Sequence, residues 1–103
     1  MTGTHPRHGL DDLLGHAVRL SVVAALADVD KAEFAFVRDA LEVSDSVLSK
    51  QVAALEAAGY VEVEKGKVGR RPRTWLVLTP AGATAFRRHV AALRAITGAG
   101  AEV

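Results

Sequence analysis

Cysteine is absent from the 103 residues, which removes disulfides, thiolate metal sites and thiol nucleophiles together. That absence suits a reducing cytoplasm, the expected compartment. Long apolar runs are missing as well. The longest, LSVVAALA at 20–27, falls far short of the roughly 20 residues needed to cross a bilayer. The N-terminal MTGTHPRHGLDD holds no apolar core of signal-peptide length, so a soluble, intracellular chain with no membrane partner is expected. Nor is there an excess of charge: 13 Lys and Arg face 12 Asp and Glu. Nothing about partners follows from that total, and only the local distribution is informative.

The marks of common active sites are missing too. There is no glycine-rich phosphate loop joined to a strand and helix, no H-E-x-x-H, and no Ser/His/Asp set whose proximity the sequence supports. An enzyme is therefore not expected, and no cofactor is implied. The four histidines raise the question of a metal: His5, His8 and His16 lie near the N-terminus, with Asp12 four residues before His16, and His89 lies far along the chain. Two ligands at i, i+4 share a helical face, but a transition-metal site needs three or four converging ligands. Surface or packing histidines are expected, and no metal.

Half of the residues are hydrophobic, enough for one compact domain with a core in a chain too short for two. Residues 1–9, with Gly3, Pro6 and Gly9 among polar residues and no periodic apolar face, read as a flexible arm. Residues 10–97 read as the domain and 98–103 as a flexible tail.

Apolar residues recur at spacings of three and four from Leu10 to about Ala27, predicting a first helix buried over a broad face. After DVDK, AEFAF is compatible with a short strand or with a direct lead into a second helix, FVRDALEV, where Val37, Ala40 and Leu41 share one face. A third helix at about 45–58 has well-marked ends. Ser44 is placed to cap it, Asp45 puts negative charge at its positive end, and Gly59 supplies the left-handed residue beyond it, with Tyr60 touching Leu55. Leu48, Val52 and Leu55 fall in one narrow stripe, a core face. Ser46, Ser49, Lys50, Ala53 and Ala57 lie on the opposite side.

The period then changes to two. In YVEVEK, Val61 and Val63 alternate with Glu62 and Glu64; in RTWLVL, Leu76 and Leu78 alternate with Trp75 and Val77. Two strands spanning about 61–78 thus flank the segment from Lys65 to Arg73, whose nine positions carry five bases and no acid. This is read as a basic hairpin tip, with Gly66 and Gly69 giving freedom and Pro72 biasing Arg71 toward extension. Trp75 is expected to pack in the core or an interface. Thr79 and Pro80 then open a last helix, about 80–97, with Phe86, Val90 and Leu93 at i, i+4, i+7.

The order of elements is mainly α with a small β-hairpin, an α+β class. It resembles the winged helix-turn-helix fold of bacterial transcription regulators, and more specifically the small MarR-like regulators, from about Leu13 to Leu93. The most specific part is SDSVLSKQVAALEAAGYVEVEKGKVGRRPRTWLVLTPAG, where a recognition-helix pattern, a Leu-Glu-x-x-Gly-Tyr-Val exit, a basic wing and a Leu-Thr-Pro-x-Gly entry to the last helix stand in family order.

The resemblance implies a sequence-specific transcription regulator, expected to be a repressor. Its partner would be double-stranded DNA with a palindromic operator, bound by a homodimer paired through first and last helices. Residue chemistry agrees. A helix fits the major groove, and its N-terminal residues lie nearest the bases, so Ser46, Ser49 and Lys50 are candidate base contacts. Ser44, at the helix N-terminus, would position a phosphate. Lys65, Lys67, Arg70, Arg71 and Arg73 would clamp phosphates or enter a minor groove, about three of them touching DNA because alternate strand residues point to opposite sides. A small-molecule effector is compatible with the resemblance, but no residue pattern indicates one. The competing reading is a winged-helix docking module for proteins that binds no DNA, although a protein partner does not require five bases in nine residues.

Overall fold

The computed structural model describes residues 5–98. Its elements are α1 (Ala17–Leu26), β1 (Ala32–Glu33), α2 (Phe34–Leu41), α3 (Asp45–Ala57), β2 (Val61–Val68), β3 (Arg71–Leu78) and α4 (Pro80–Ile96), preceded by 3-10 turns at Pro6–Gly9 and Leu13–Gly15. The three strands form one antiparallel sheet in the order β1-β3-β2. Helices and sheet close over Leu14, Val22, Val23, Leu26, Val37, Leu48, Val52, Leu55, Val61 and Leu76, all buried. Among the described residues no helix is long and apolar enough to cross a membrane.

The first helix is shorter than its periodicity predicts. The Asp11 carboxylate accepts from the backbone N–H groups of Leu13 (2.9 Å) and Leu14 (3.3 Å), offering the chain a local turn in place of an α-helical ladder. α1 begins only after His16, whose backbone is extended and whose Nδ1 accepts from Val18 N–H at 3.2 Å. The segment 1–9, read as an arm, contains the ordered Pro6–Gly9 turn. There the His5 imidazole accepts from Arg7 N–H, and a Cβ at Gly9 would stand 3.2 Å from Ala92 of α4, so the turn lies against the last helix. Residues 1–4 of the arm and 99–103 of the tail lie outside the described residues.

Both readings of AEFAF hold in part: Ala32 and Glu33 pair with Leu76 and Trp75 of β3, and α2 follows at once. The ends of α3 match their expected chemistry. Ser44 Oγ accepts from Val47 N–H at 3.1 Å, and beyond Ala58 the chain turns through Gly59 (φ 79°) while Tyr60 N–H donates to Leu55 O at 2.9 Å. Leu48 and Leu55 are fully buried, with Val52 beside them. At the start of α4 the Thr79 hydroxyl accepts from Gly82 N–H at 3.0 Å, with Pro80 in the first turn.

The hairpin differs from its expected form. The strands continue through the basic segment, pairing Lys65 with Thr74, Gly66 with Arg73, Lys67 with Pro72 and Val68 with Arg71. The loop is only Gly69 and Arg70. Gly69 at φ 63° supplies the positive dihedral that a two-residue hairpin needs at its first position, which lets the ladder run to the tip. Pro72 is tolerated in β3 because β1 ends opposite Trp75, leaving the outer edge of β3 without a strand at position 72.

Candidate nucleic-acid interface

α3 is held by its buried stripe and by a polar contact that the stripe did not predict. Gln51 is buried on α3, where its Oε1 accepts from Arg19 Nε of α1 at 2.7 Å; Arg19 Nη1 reaches Leu13 O at 3.5 Å. The amide oxygen is thereby satisfied, and the bond ties α3 to α1. A second tie joins α2 to α3. The Arg38 guanidinium bonds the carboxylates of Asp39 and Asp45, each at 2.8 Å. Hydrogen bonding to both acids holds Arg38 firmly protonated, and Arg38 in turn holds the Asp39 carboxyl below the usual range. The α2–α3 turn between them passes through Glu42 in the left-handed conformation (φ 58°, ψ 46°).

With its inner side fixed, α3 presents Ser44, Asp45, Ser46, Val47, Ser49, Lys50 and Ala53 as exposed residues. Ser44 spends its oxygen on the cap and lies 3.2 Å from Ser46 Oγ, so these two hydroxyls already engage each other. Ser49 and Lys50, one turn on, make no side-chain hydrogen bond or ion pair among the described residues.

The wing divides its five cations. Residues opposite one another in a ladder share a face, and the face alternates along a strand. Val61, Val63, Lys65 and Lys67 therefore share one face with Leu78, Leu76, Thr74 and Pro72. Val61 and Leu76 are buried there against the core, and farther out Lys65 and Thr74 border a cleft shared with Ser49 of α3. Lys65 and Lys67 thus lie on the α3 side. Arg71 and Arg73 lie on the other face, in line with Trp75 and Val77, and Arg70 stands in the loop.

Arg73 is also engaged: its Nε bonds Glu33 Oε1 at 2.9 Å. Beside that pair, Lys31 Nζ stands 4.7 Å from the Trp75 ring centroid and 3.9 Å from Glu64. Trp75 is half-buried as part of this brace, which ties β1 to the base of the wing.

The sequence-predicted residues thus fall into two groups. Ser49 and Lys65 border one cleft, with Lys67 on the Lys65 face of the wing and Ser44, Ser46 and Lys50 exposed on the same helix end as Ser49, whereas Arg71 and Arg73 lie on the far face of the wing and Arg70 in its loop. Sequence periodicity missed Arg38, Arg19 and Gln51. The one available signal for Arg38 was a base in the last turn of α2 seven residues before the first-turn acid of α3. Three of the four histidines serve as backbone acceptors: His5, His16 and His89 take Arg7, Val18 and Asp11 N–H through Nδ1. No group of three His, Asp or Glu side chains among the described residues is arranged to hold a metal.

A three-helix unit with a capped, outward-facing third helix, followed by a two-stranded wing and a closing helix, is a winged helix-turn-helix domain. The chain belongs to the family described as winged helix DNA-binding domain, whose model matches residues 18–97. It is 27% identical over 78 residues to an uncharacterized protein of Methanocaldococcus jannaschii, covering 76% of this chain and 85% of that one. A solved transcriptional regulator homologue protein from Pyrococcus horikoshii OT3 superposes with a TM-score of 0.81 at 28% identity, over 90% of this chain and 91% of that chain. The YusO protein of Bacillus subtilis shares the fold, with a TM-score of 0.77 at 20% identity over 93% and 67% of the two chains. These findings agree with the MarR-like resemblance read from the sequence. They set the chain among DNA-binding domains, a family that is not one of enzymes.

Proposed function

We propose that this chain is a sequence-specific, double-stranded DNA-binding transcriptional regulator that acts in the cytoplasm as a homodimeric repressor. One observation carries the reading: Lys65 of the wing borders the same cleft as the exposed Ser49 of α3, with Lys67 on the same face of the wing. Helix and wing can then meet one duplex together. Ser46, Ser49 and Lys50 read base edges in the major groove, Ser44 sets the phosphate at the helix N-terminus, and the wing cations follow the backbone or the adjacent minor groove. Lys65, Lys67 and Arg70 are the cations best placed for this work. Arg71 and Arg73, on the far face, contribute to the field.

The dimer reading draws on α4. Phe86, Val90 and Leu93 are only partly covered and Ile96 is 40% exposed, so this helix carries apolar surface beyond what the domain core uses. Pairing through it and the N-terminal segment suits a palindromic operator.

The test is binding to a fluorescent duplex containing the promoter beside the protein's own gene, against a scrambled duplex, across a salt series. Promoter-selective binding with a slope of log K against log salt near about −5, for about six phosphates per dimer, supports the reading. Equal binding to both duplexes removes the specificity. Absence of binding to either at low salt removes DNA as the partner, in favour of protein docking.

A further inference from the structure

Between α3 and the wing lies a cleft of about 340 Å³. Its floor is apolar, with Leu76 at the base, and its rim is polar. Ser49 stands on the helix side, Lys65 and Thr74 on the wing side, and Ala53 keeps the helix rim low. Lys65 and Thr74 are direct cross-strand partners, so their side chains rise together from one face about 5 Å apart at Cβ. None of the ion pairs or side-chain hydrogen bonds among the described residues engages Lys65, Ser49 or Thr74. One acid, Glu56, shares the cleft two turns along α3 from Ser49.

We propose that this cleft seats one backbone phosphate of the bound duplex, with the Thr74 hydroxyl and the Lys65 ammonium as its principal donors and Glu56 limiting its affinity. The proposal rests on the DNA-binding reading and adds to it a site and two residues, Thr74 and Glu56. A duplex with α3 in its major groove and the wing at the neighbouring minor groove has one strand between those grooves, and that strand crosses the cleft between helix and wing. The part of a strand that faces outward is its phosphate. Convergent hydroxyl and ammonium donors, free of internal partners, suit an anion. The Glu56 carboxylate opposes a second phosphate, so it sets where the seat ends.

The test uses the full chain and a duplex that it selects from a random library, with single phosphates replaced in turn by neutral methylphosphonates. Thr74→Val keeps the side-chain shape and removes the hydroxyl; Thr74→Ser keeps the hydroxyl. On the unmodified duplex Thr74→Val is expected to weaken binding about tenfold, as for loss of a hydrogen bond to a charged group, and Thr74→Ser to restore most of it. At one phosphate per protomer, methylphosphonate substitution should weaken the parent clearly more than it weakens Thr74→Val, which keeps only the Lys65 contact to that phosphate. Glu56→Gln should tighten binding to the unmodified duplex and lose that advantage at the same phosphate.

A Thr74→Val penalty that is equal at every methylphosphonate position overturns the seat while leaving DNA binding intact, as does no penalty at all. Failure of the parent chain to select any duplex overturns the DNA reading itself, and the seat with it.

Discussion

Gly82, in the first turn of α4, faces the backbone of Tyr60 so closely that a Cβ at position 82 would overlap the Tyr60 carbonyl oxygen and stand 2.7 Å from Leu78 Cδ1. That carbonyl accepts from Thr79 N–H at 3.0 Å, and the Thr79 hydroxyl donates to Gly59 O at 2.6 Å. The exit of α3 and the entry of α4 are thus pinned together at a place where only hydrogen fits. Gly82→Ala is expected to destabilise the domain by about 1–3 kcal/mol, the usual cost of overpacking, even though alanine is the better helix former. A denaturant melt compares the two chains. An unchanged midpoint would mean that α4 shifts without cost.

Glu42 is a different kind of constraint. It is the one non-glycine residue with positive φ among the described residues, and it closes α2, its N–H donating to Asp39 O and that of Val43 to Arg38 O. An L-residue pays roughly 1–2 kcal/mol for this conformation, whereas glycine adopts it freely at the cost of greater chain entropy when unfolded. Glu42→Gly should therefore stabilise the domain by up to about 1 kcal/mol. A rise of a few degrees in the thermal midpoint is the expected result; a fall would show that the Glu42 side chain contributes more than its backbone strain costs.

These two positions mark what was legible in the sequence. The Leu-Thr-Pro-x-Gly stretch announced a helix entry, and capping chemistry predicted the ends of α3 to within a residue, because caps are local and their partners lie three or four positions away. The split of the first helix was not legible. It depends on the Asp11 side chain turning back on Leu13 and Leu14 while its other oxygen accepts from the distant Tyr60. The basic segment announced itself by composition, but composition does not say which cations face α3. That follows from ladder register, which a two-residue turn at Gly69 and Arg70 sets. The Glu33–Arg73 pair spans 40 positions and left no periodic trace.

The division of the wing predicts unequal salt effects. Lys67 lies on the α3 side and makes no ion pair among the described residues, whereas Arg73 lies on the far face bonded to Glu33. If DNA binds as proposed, Lys67→Gln should reduce the slope of log K against log salt by about 1.8, one phosphate contact in each protomer of the dimer. Arg73→Gln should change it by less than half as much. Ser49 and Lys50 substitutions should alter which sequences are preferred. Equal slope changes for Lys67 and Arg73 would mean that both faces of the wing meet the phosphates, or that neither does. Measurement on a fixed duplex from low to moderate salt separates the two variants.

The contact between Tyr60 and Asp11 gives the domain an alkaline limb. Tyr60 Oη donates to Asp11 Oδ2 at 2.5 Å, and Asp11 N–H donates to the buried His89 Nδ1 at 2.9 Å, so the N-terminal segment is tied to both the α3 exit and α4. The hydrogen bond to the carboxylate, then burial, push the Tyr60 phenol above its ordinary value of 10.0, with Arg88 opposing the shift. A phenol whose folded value is raised holds its proton more tightly in the folded state. Its contribution to stability is therefore fully present below about pH 10 and is lost as pH rises through the folded value. Tyr60→Phe should cost about 2 kcal/mol near neutrality, as for loss of a hydrogen bond to a charged group, and the gap between the two chains should narrow above pH 10. Urea midpoints of both chains from pH 7 to pH 11 measure this directly. A gap that stayed constant across that range would show that the phenol titrates alike in the folded and unfolded chains, and that the bond to Asp11 does not hold its proton.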